Sequence, residues 1–270
     1  MRAGVACSAM PEPNEQTKAR LRGIQQALGV DADGLLGPET LTALEKRLGI
    51  GVEESAASLQ CSRESLDQIV AFEVGSPALY EQRFRRPTWP GGESGVTIGI
   101  GYDLGYTSKA EIEADWGPHL EAPERAALLT AQGTQGDAAK QLAKNLSQVV
   151  IPFADAQQVF YANTLPRFAA LTLEKFPGVE DLPADAQGAM LSLVYNRGAG
   201  LSGDRRREMR EIRDLLAAGG DDVLEAIARE FESMTRLWPD VKGLRDRRTR
   251  EAELVRESDR KYTKDELIRV

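Results

Sequence analysis

Histidine and cysteine are scarce in this sequence. The 270 residues include one histidine, His119, and two cysteines, Cys7 and Cys61, which lie too far apart to form a CxxC motif. Most zinc centres need several histidine or cysteine ligands, and a catalytic triad needs a histidine base. The sequence therefore predicts no metal site, no cofactor and no redox or disulfide motif. Carboxylates are the catalytic groups that remain.

Long apolar runs and an excess of positive charge are also missing. No stretch approaches the ~18 consecutive apolar residues of a membrane-spanning helix, so we expect no membrane span. Lysine and arginine number 34 against 42 aspartates and glutamates, and the net charge of -8 argues against nucleic acid as a partner. The first residues hold one arginine and a short, weakly apolar run that ends at Pro11, which is too little for a secretory signal.

The overall composition, with 41% hydrophobic and 28% charged residues, is typical of a globular protein. The length predicts one compact body with a small appendage. We divide the chain into a flexible tail over 1–16, a small helical unit over 17–50, a linker over 51–62 and a larger domain over 63–270. The larger domain is a succession of helical patterns with one strand-like run, so the predicted fold class is α+β and mostly α.

The small unit has two apolar stripes at helical spacing, separated by a loop that contains glycines. It resembles the peptidoglycan-binding type 1 domain at the following residues: Ile24, Gln25, Leu28, Gly29, Asp33, Gly34, Gly37 and Thr40. The resemblance implies bacterial peptidoglycan as the ligand, with Asp33, Gly34 and Thr40 at the binding site. Each residue alone is explained equally well by a turn or by a place in the first turn of a helix.

The first helical pattern of the larger domain carries a carboxylate on its apolar face. In ESLDQIVAFEVG, Glu73 continues the inward stripe of Leu66 and Ile69, and a glycine and a proline follow to end the helix. Partial burial favours the protonated form of a carboxyl group, which is the form that a general acid needs. The alternative is an ion pair of Glu73 at the edge of the core with an arginine such as Arg83 or Arg85.

The run GVTIGIGYD has the alternation of a β-strand. Its apolar residues share one face, while Thr97, Gly99, Gly101 and Asp103 share the other. A hydroxyl, two bare backbone positions and a carboxylate form a surface on which a polar polymer can lie close to the main chain. An uninterrupted strand would hold Thr97 and Asp103 about 20 Å apart, so the two can act together only if the glycines bend the chain. A hairpin or bulge without any ligand also explains the glycines.

These two segments and two later motifs resemble the lysozyme-like muramidases of tailed bacteriophages and of the bacteriocin pesticin. The later motifs are LSLVYNRG, with Asn196 and Gly198, and GLRDRRTREAEL, with Arg247, Arg248 and Glu251. The resemblance covers roughly residues 63–258 and implies a helical lysozyme-like domain with a small β-sheet. For Arg247 and Arg248 themselves, internal ion pairs or a solvated helix face are the better interpretation.

The resemblance also implies a role for each matching residue. Glu73 is expected to be the general acid, and Thr97 is expected to position the attacking water. Phage lysozymes have their catalytic aspartate before the threonine, where this chain has none, whereas pesticin-like members have it six residues after the threonine, at Asp103. We therefore assign the second carboxylate to Asp103, with Glu93 in reserve. Asn196 corresponds to the helix-end asparagine of the family, although a polar cap explains it about as well.

The expected activity is hydrolysis of the β-1,4 bond between N-acetylmuramic acid and N-acetylglucosamine, performed by a monomeric endolysin. This reaction needs one protonated carboxyl and one ionised group, without a metal. A lytic transglycosylase and a non-catalytic wall-binding protein are the alternatives. In the absence of a secretory signal, such a protein would be made in the host cytoplasm and would reach the periplasmic cell wall through a holin or a delivery apparatus.

Overall fold

The computed structural model of the chain describes residues 15–30, 32, 34, 40, 43, 44, 47 and 58–270. The chain divides into two units, Met1–Ala56 and Ala57–Val270. Most of the predicted tail, residues 51–57 of the predicted linker, and Asp33 lie outside the described residues. The helices that the structure describes are all too short or too polar to cross a lipid bilayer.

The described part of the first unit contains helix α1, Glu15–Leu28, which ends before Gly29 as predicted. Gly29 has a φ of 74°, a left-handed conformation that favours glycine after the end of a helix. The side chain of Gln25 accepts a hydrogen bond from the N–H of Gly34 (2.8 Å) and donates one to the hydroxyl of Thr40 (3.0 Å). The Gln25 amide thus joins α1 to two later positions of the same unit.

The second unit is mostly helical. Its α-helices, in chain order, are α2 (Arg63–Val74), α3 (Pro77–Arg83), α4 (Lys109–Trp116), α5 (Ala122–Leu129), α6 (Gly136–Asn145), α7 (Phe153–Val159), α8 (Leu165–Lys175), α9 (Ala184–Arg197), α10 (Arg207–Ala218), α11 (Val223–Ser233) and α12 (Lys242–Arg256). Short strands form two antiparallel pairs, β1 (Gln60–Ser62) with β4 (Leu267–Arg269) and β2 (Thr97–Ile98) with β3 (Tyr102–Asp103). The predicted fold class, α+β and mostly α, is confirmed.

The β1–β4 pair shows that the second unit begins before the predicted boundary. We expected residues 60–62 to belong to the linker, but Cys61 pairs with Ile268 in an antiparallel ladder. Leu59 and Cys61 are fully buried, and Ser62 ends the strand and caps the N-terminus of α2. Three residues are too few to show an alternating pattern, so this strand has no signature in the sequence.

Helix α9 lies at the centre of the second unit. All residues from Ala184 to Val194 are buried, as expected of a helix that has neighbours on every side. Helices α2, α8 and α12 and strand β1 pack against it. The approach to α2 is closest at Gly188, where a Cβ atom would lie 1.8 Å from the hydroxyl oxygen of Ser65. A glycine is therefore required at this crossing.

Tyr195, near the end of α9, links the helical core to the β2–β3 hairpin. A single π-helical turn, Phe160–Thr164, joins α7 to α8 without a break. The rings of Phe160 and Phe168 pack against Tyr195, with centroid distances of 5.7 and 4.8 Å. The hydroxyl of Tyr195 donates a hydrogen bond to the carbonyl of Ile100 in the hairpin (2.9 Å). The hairpin is thus attached to a rigid helix.

We expect a chain of residues 57–270 to fold by itself and a chain of residues 63–270 to be less stable. The shorter chain loses the partner of β4 and the buried side chains of Leu59 and Cys61. This loss should lower the free energy of unfolding by about 3 kcal/mol. Urea denaturation of both chains measures the difference, and equal midpoints and slopes would show that β1 contributes nothing to stability.

Candidate functional site

A pocket of about 290 Å³ lies between the C-terminal end of α2 and the β2–β3 hairpin. Five residues selected from the sequence line it, namely Glu73, Thr97, Gly99, Gly101 and Asp103. The remaining lining residues are Val74, Phe84, Thr88, Pro90 and Ser94. A larger depression of about 590 Å³ beside α12 contains none of the predicted site residues. The fold thus places the predicted acid, threonine and second carboxylate around one cavity.

Glu73 lies in the last turn of α2, and its side chain is 23% exposed. Its Oε1 accepts a hydrogen bond of 2.6 Å from Nη1 of Arg247 on α12. The ion pair of Glu73 with an arginine, which was the alternative named from the sequence, is therefore present. Its partner is Arg247, whereas Arg85 pairs with Glu81. A Cβ atom built on Gly101 would lie 3.5 Å from Oε2 of Glu73. Arg247 therefore holds one carboxylate oxygen, while the other faces the hairpin.

Arg247 belongs to a buried network of charges between α9 and α12. Its guanidinium also contacts Glu251 (3.3 Å) and the hydroxyl of Ser192 (3.0 Å). Arg248 donates to the same Glu251 carboxylate at 2.8 Å, and both of these side chains are fully buried. The network thus contains two arginines, Arg247 and Arg248, and two glutamates, Glu73 and Glu251. The predicted internal ion pairs of Arg247 and Arg248 are confirmed.

The glycines of GVTIGIGYD turn the chain back on itself. Gly99 and Gly101 have φ values of 58° and 68°, in the left-handed region, and the turn between β2 and β3 runs through them. As a result, Thr97 and Asp103 are directly opposite each other in the antiparallel ladder. Gly99 also has no space for a side chain, because a Cβ atom there would lie 2.9 Å from the ring of Trp116. The chain therefore has the bend that Thr97 and Asp103 need in order to act together.

Asp103 connects the hairpin to the segment before it. Its Oδ1 accepts a hydrogen bond from the N–H of Gly105 (2.8 Å), and the N–H of Gly95 is 3.1 Å from each carboxylate oxygen. Burial raises the pKa of Asp103, and the two backbone donors oppose that effect only in part. A carboxylate has about four acceptor positions, so Oδ2 keeps one for a water molecule or a substrate hydroxyl.

Thr97 combines a fixed backbone with a hydroxyl that has no partner in the described part of the chain. Its N–H and carbonyl form hydrogen bonds of 2.8 and 2.9 Å with the backbone of Thr88. Its Oγ1 is buried without a hydrogen-bond partner among the described residues. Because an unsatisfied buried hydroxyl is costly, this atom is a natural contact for a polar group in the pocket.

Other predicted site residues do not line this pocket. Asn196 lies near the end of α9 and lines a separate pocket of about 520 Å³. Glu93 is exposed, and its backbone carbonyl accepts a hydrogen bond from the hydroxyl of Tyr106 (2.9 Å). Gly34 and Thr40 belong to the first unit, where both are buried beside Gln25. Their role in ligand binding stays a prediction, and the predicted ligand contact of Asp33 lies outside the described residues.

Sequence reasoning did not place four residues at the pocket or its walls, namely Arg247, Glu251, Tyr195 and Thr88. Arg247 and Glu251 stand four residues apart on the same face as the buried Val255, and this pattern could have shown that both point inward. Tyr195 and Thr88 have no such signal. Their places beside Glu73 and Thr97 result from contacts across the fold, which local patterns do not contain.

Within the described residues, no group of three or more histidine, cysteine, aspartate or glutamate side chains is arranged to hold a metal ion. Residues 70–170 match the model of a protein family that is described as a domain of unknown function (DUF8812). No curated protein is similar to the chain. The matched segment contains Glu73, Thr97 and Asp103 but ends before α9 and α12, which supply Tyr195 and Arg247.

We expect Arg247→Met to lower the free energy of unfolding by about 3 kcal/mol, because breaking a buried ion pair leaves charge without compensation. Urea denaturation of the full chain measures the change. Arg250→Met on the same helix is the matched control, since Arg250 is exposed and should tolerate the substitution. If both variants unfold at the parental urea concentration, the buried network does not hold α9 and α12 together.

Proposed function

We propose that the second unit is a muramidase, which hydrolyses the β-1,4 bond between N-acetylmuramic acid and N-acetylglucosamine. The observation that carries this proposal is a single pocket lined by Glu73, Thr97 and Asp103. Glycoside hydrolysis uses two carboxyl groups that flank the scissile bond, without a metal. Here the two carboxyl groups come from different elements, the end of α2 and strand β3, which leaves a cavity between them.

In this proposal Glu73 is the general acid. Arg247 holds Oε1, so Oε2, which faces the hairpin, carries the proton that passes to the departing sugar oxygen. Asp103 in its ionised form takes a proton from water through the free position on Oδ2. The Thr97 hydroxyl holds that water, and the remaining hydroxide forms the new bond to the anomeric carbon. Acid and base thus act on the bond together.

The shape of the hairpin supports an extended sugar polymer as the substrate. Gly99 and Gly101 line the pocket between the two carboxylates and expose main chain rather than side chains. A side chain at Gly101 would clash with Tyr195, because its Cβ atom would lie 2.3 Å from the Tyr195 hydroxyl. A polymer with many hydroxyl and amide groups can therefore approach the backbone closely.

For the first unit we infer a wall-binding role from the resemblance of residues 17–50 to peptidoglycan-binding domains. Such a module would raise the effective concentration of the hydrolase at the wall without adding chemistry. The hydrogen bonds of the Gln25 side chain give Gly34 and Thr40 a structural role. The proposed ligand contacts of these two residues therefore rest on the resemblance alone. The whole chain would then be an endolysin, made in a host cytoplasm and acting on the periplasmic wall.

A lytic transglycosylase is the second candidate, and the backbone hydrogen bonds of Asp103 favour it. Both carboxylate oxygens of Asp103 accept backbone hydrogen bonds, which is what a purely structural aspartate would do. Glu73 would then act alone, and the 6-hydroxyl of the muramyl sugar would close an anhydro ring in place of water. The two products differ in mass by one water, so mass spectrometry of digested walls separates the two reactions.

We expect Glu73→Gln to lower the rate of wall hydrolysis by about 10² to 10⁴-fold, because the amide keeps the shape and loses the transferable proton. The release of reducing ends from purified peptidoglycan measures this rate. Glu64→Gln, in the first turn of the same helix, is the matched control, since the Glu64 side chain is 72% exposed. Parental activity in the Glu73 variant would remove Glu73 from the acid role.

We expect activity to decline on the acid side at a higher pH than for an ordinary aspartate. Burial raises the pKa of Asp103, and hydrolysis needs its ionised form, so the base is lost as the pH falls through that raised pKa. The dependence of kcat/KM on pH, measured on soluble wall fragments, shows this limb. A profile that is flat down to about pH 4 would contradict the assignment of Asp103 as the base.

The variants Asp103→Asn and Glu93→Gln separate the two carboxylates in the same assay. Asp103→Asn should lose most of the activity, because an amide cannot take up the proton. Glu93→Gln should keep it, because the Glu93 side chain is exposed and does not line the pocket. The opposite result would transfer the role of the base to Glu93.

A further inference from the structure

A second pocket, of about 520 Å³, lies at the C-terminal end of α9 and shares no lining residue with the Glu73 pocket. Its polar and aromatic lining residues are Asn196, Arg197, Ser202, Arg205, Arg206 and Trp238. Three arginines line it and no acidic residue does, although the chain as a whole has a net charge of -8. Such a local excess of positive charge creates a field that attracts anions.

The three guanidinium groups have no carboxylate partner among residues 58–270. Arg197 donates to the sulfur of Met234 (3.1 Å) and to the carbonyl of Arg205. Arg206 donates to the sulfur of Met209 (3.2 Å) and to the carbonyl of Arg197. Thioether sulfur is a weak acceptor, and neither sulfur nor carbonyl oxygen carries a charge. No carboxylate among residues 58–270 thus touches these three groups, and Glu208 acts on Arg197 only without direct contact.

Acidic residues do occur in the same segment, but they pair with other arginines. Glu208 is fully buried and binds Arg236 (2.6 Å) and Arg207 (3.1 Å). Asp204 also faces Arg236, at 3.5 Å. Both carboxylates are thus engaged by arginines outside the pocket lining, and Glu208 offsets the positive charge of Arg197 only in part.

Arg197 is the most confined of the three arginines. Its guanidinium lies over the ring of Trp238, 5.0 Å from the ring centroid. Burial, followed by the neighbouring Arg206 and Arg248, lowers the pKa of Arg197 to about 10, so the group is still charged at neutral pH. An anion in the pocket would relieve both the repulsion between these arginines and the cost of burial.

Asn196 adds a directed donor to this pocket. Its side-chain oxygen accepts a hydrogen bond from Nη2 of Arg248 (3.3 Å), so its NH₂ group is left for another acceptor. Arg248 is fully buried behind Asn196, where its charge is paired with that of Glu251. A ligand that satisfies this pocket must therefore offer negative charge and several acceptor oxygens.

We propose that this pocket binds a phosphate group carried by a polyol or a sugar. A phosphate presents more acceptor oxygens than a carboxylate and up to two charges, which suits several guanidinium groups at once. The volume of about 520 Å³ leaves space beyond the phosphate for its carrier, beside the apolar surface of Trp238. Because the two pockets share no residue, this site stands whether or not the Glu73 pocket is a muramidase site.

Isothermal titration calorimetry of the full chain with inorganic phosphate tests the site. We expect Arg205→Gln to weaken binding by about 10-fold or more, the usual effect of losing one charge-assisted hydrogen bond. The Arg205 side chain is exposed and makes no hydrogen bond or ion pair with the described residues, so its replacement should leave the fold intact. Arg213→Gln on α10 is the matched control, because Arg213 pairs with Asp214 (2.7 Å) and does not line the pocket.

A second variant and two further ligands complete the test. Arg206→Gln, checked for folding by a thermal melt, should weaken phosphate binding in the same way as Arg205→Gln. Tighter binding of a glycerol phosphodiester oligomer than of glycerol phosphate supports a polymeric source of the phosphate, and the reverse order supports a free metabolite. No measurable binding, equal affinity in Arg205→Gln and the parent, or acetate binding as tightly as phosphate would overturn the proposal.

Discussion

The contact between Glu73 and Arg247 is the interaction on which the geometry of the candidate site depends. Arg247 is nearly excluded from solvent, and a charge in that position is tolerated only with partners on all sides. Those partners come from α2, α9 and α12, so the three helices must keep one mutual arrangement for the charges to meet. The orientation of Glu73 is therefore fixed by the whole helical core, although the residue itself lies at the edge of it.

The hairpin opposite Glu73 is held together by the carboxylate that we propose as the base. Asp103 holds Gly95 and Gly105 together through their backbone N–H groups, and its position opposite Thr97 is set by the same ladder. The hydroxyl of Tyr195 stabilises the turn by donating a hydrogen bond to the carbonyl of Ile100. A carboxylate that is held by its own loop keeps its place without a substrate, and the proposed role of Asp103 would require such preorganisation.

Local patterns in the sequence were sufficient for the parts of the site that lie within one element. The 3.6-residue period placed Glu73 on the inner face of α2, and the positions of the glycines indicated that Thr97 and Asp103 could meet only across a bend. The Arg247 partner, Tyr195 and the β1–β4 pair were not predicted, because each depends on residues more than 90 positions apart in the chain. The cationic pocket was not predicted for a different reason. In a run such as RRREMREIR every arginine could be solvated or ion-paired, and only the three-dimensional structure shows which arginines obtain a carboxylate.

The β1–β4 pair has a topological consequence. Leu59 and Val270 exchange backbone hydrogen bonds of 3.0 and 2.9 Å, so the chain enters and leaves the second unit at neighbouring points. A short peptide could close these two points into a ring without stretching any element, and new ends could then be opened in an exposed loop elsewhere. The same geometry would let the entire unit be carried as an insertion within a surface loop of a host protein, with both connections at a single edge.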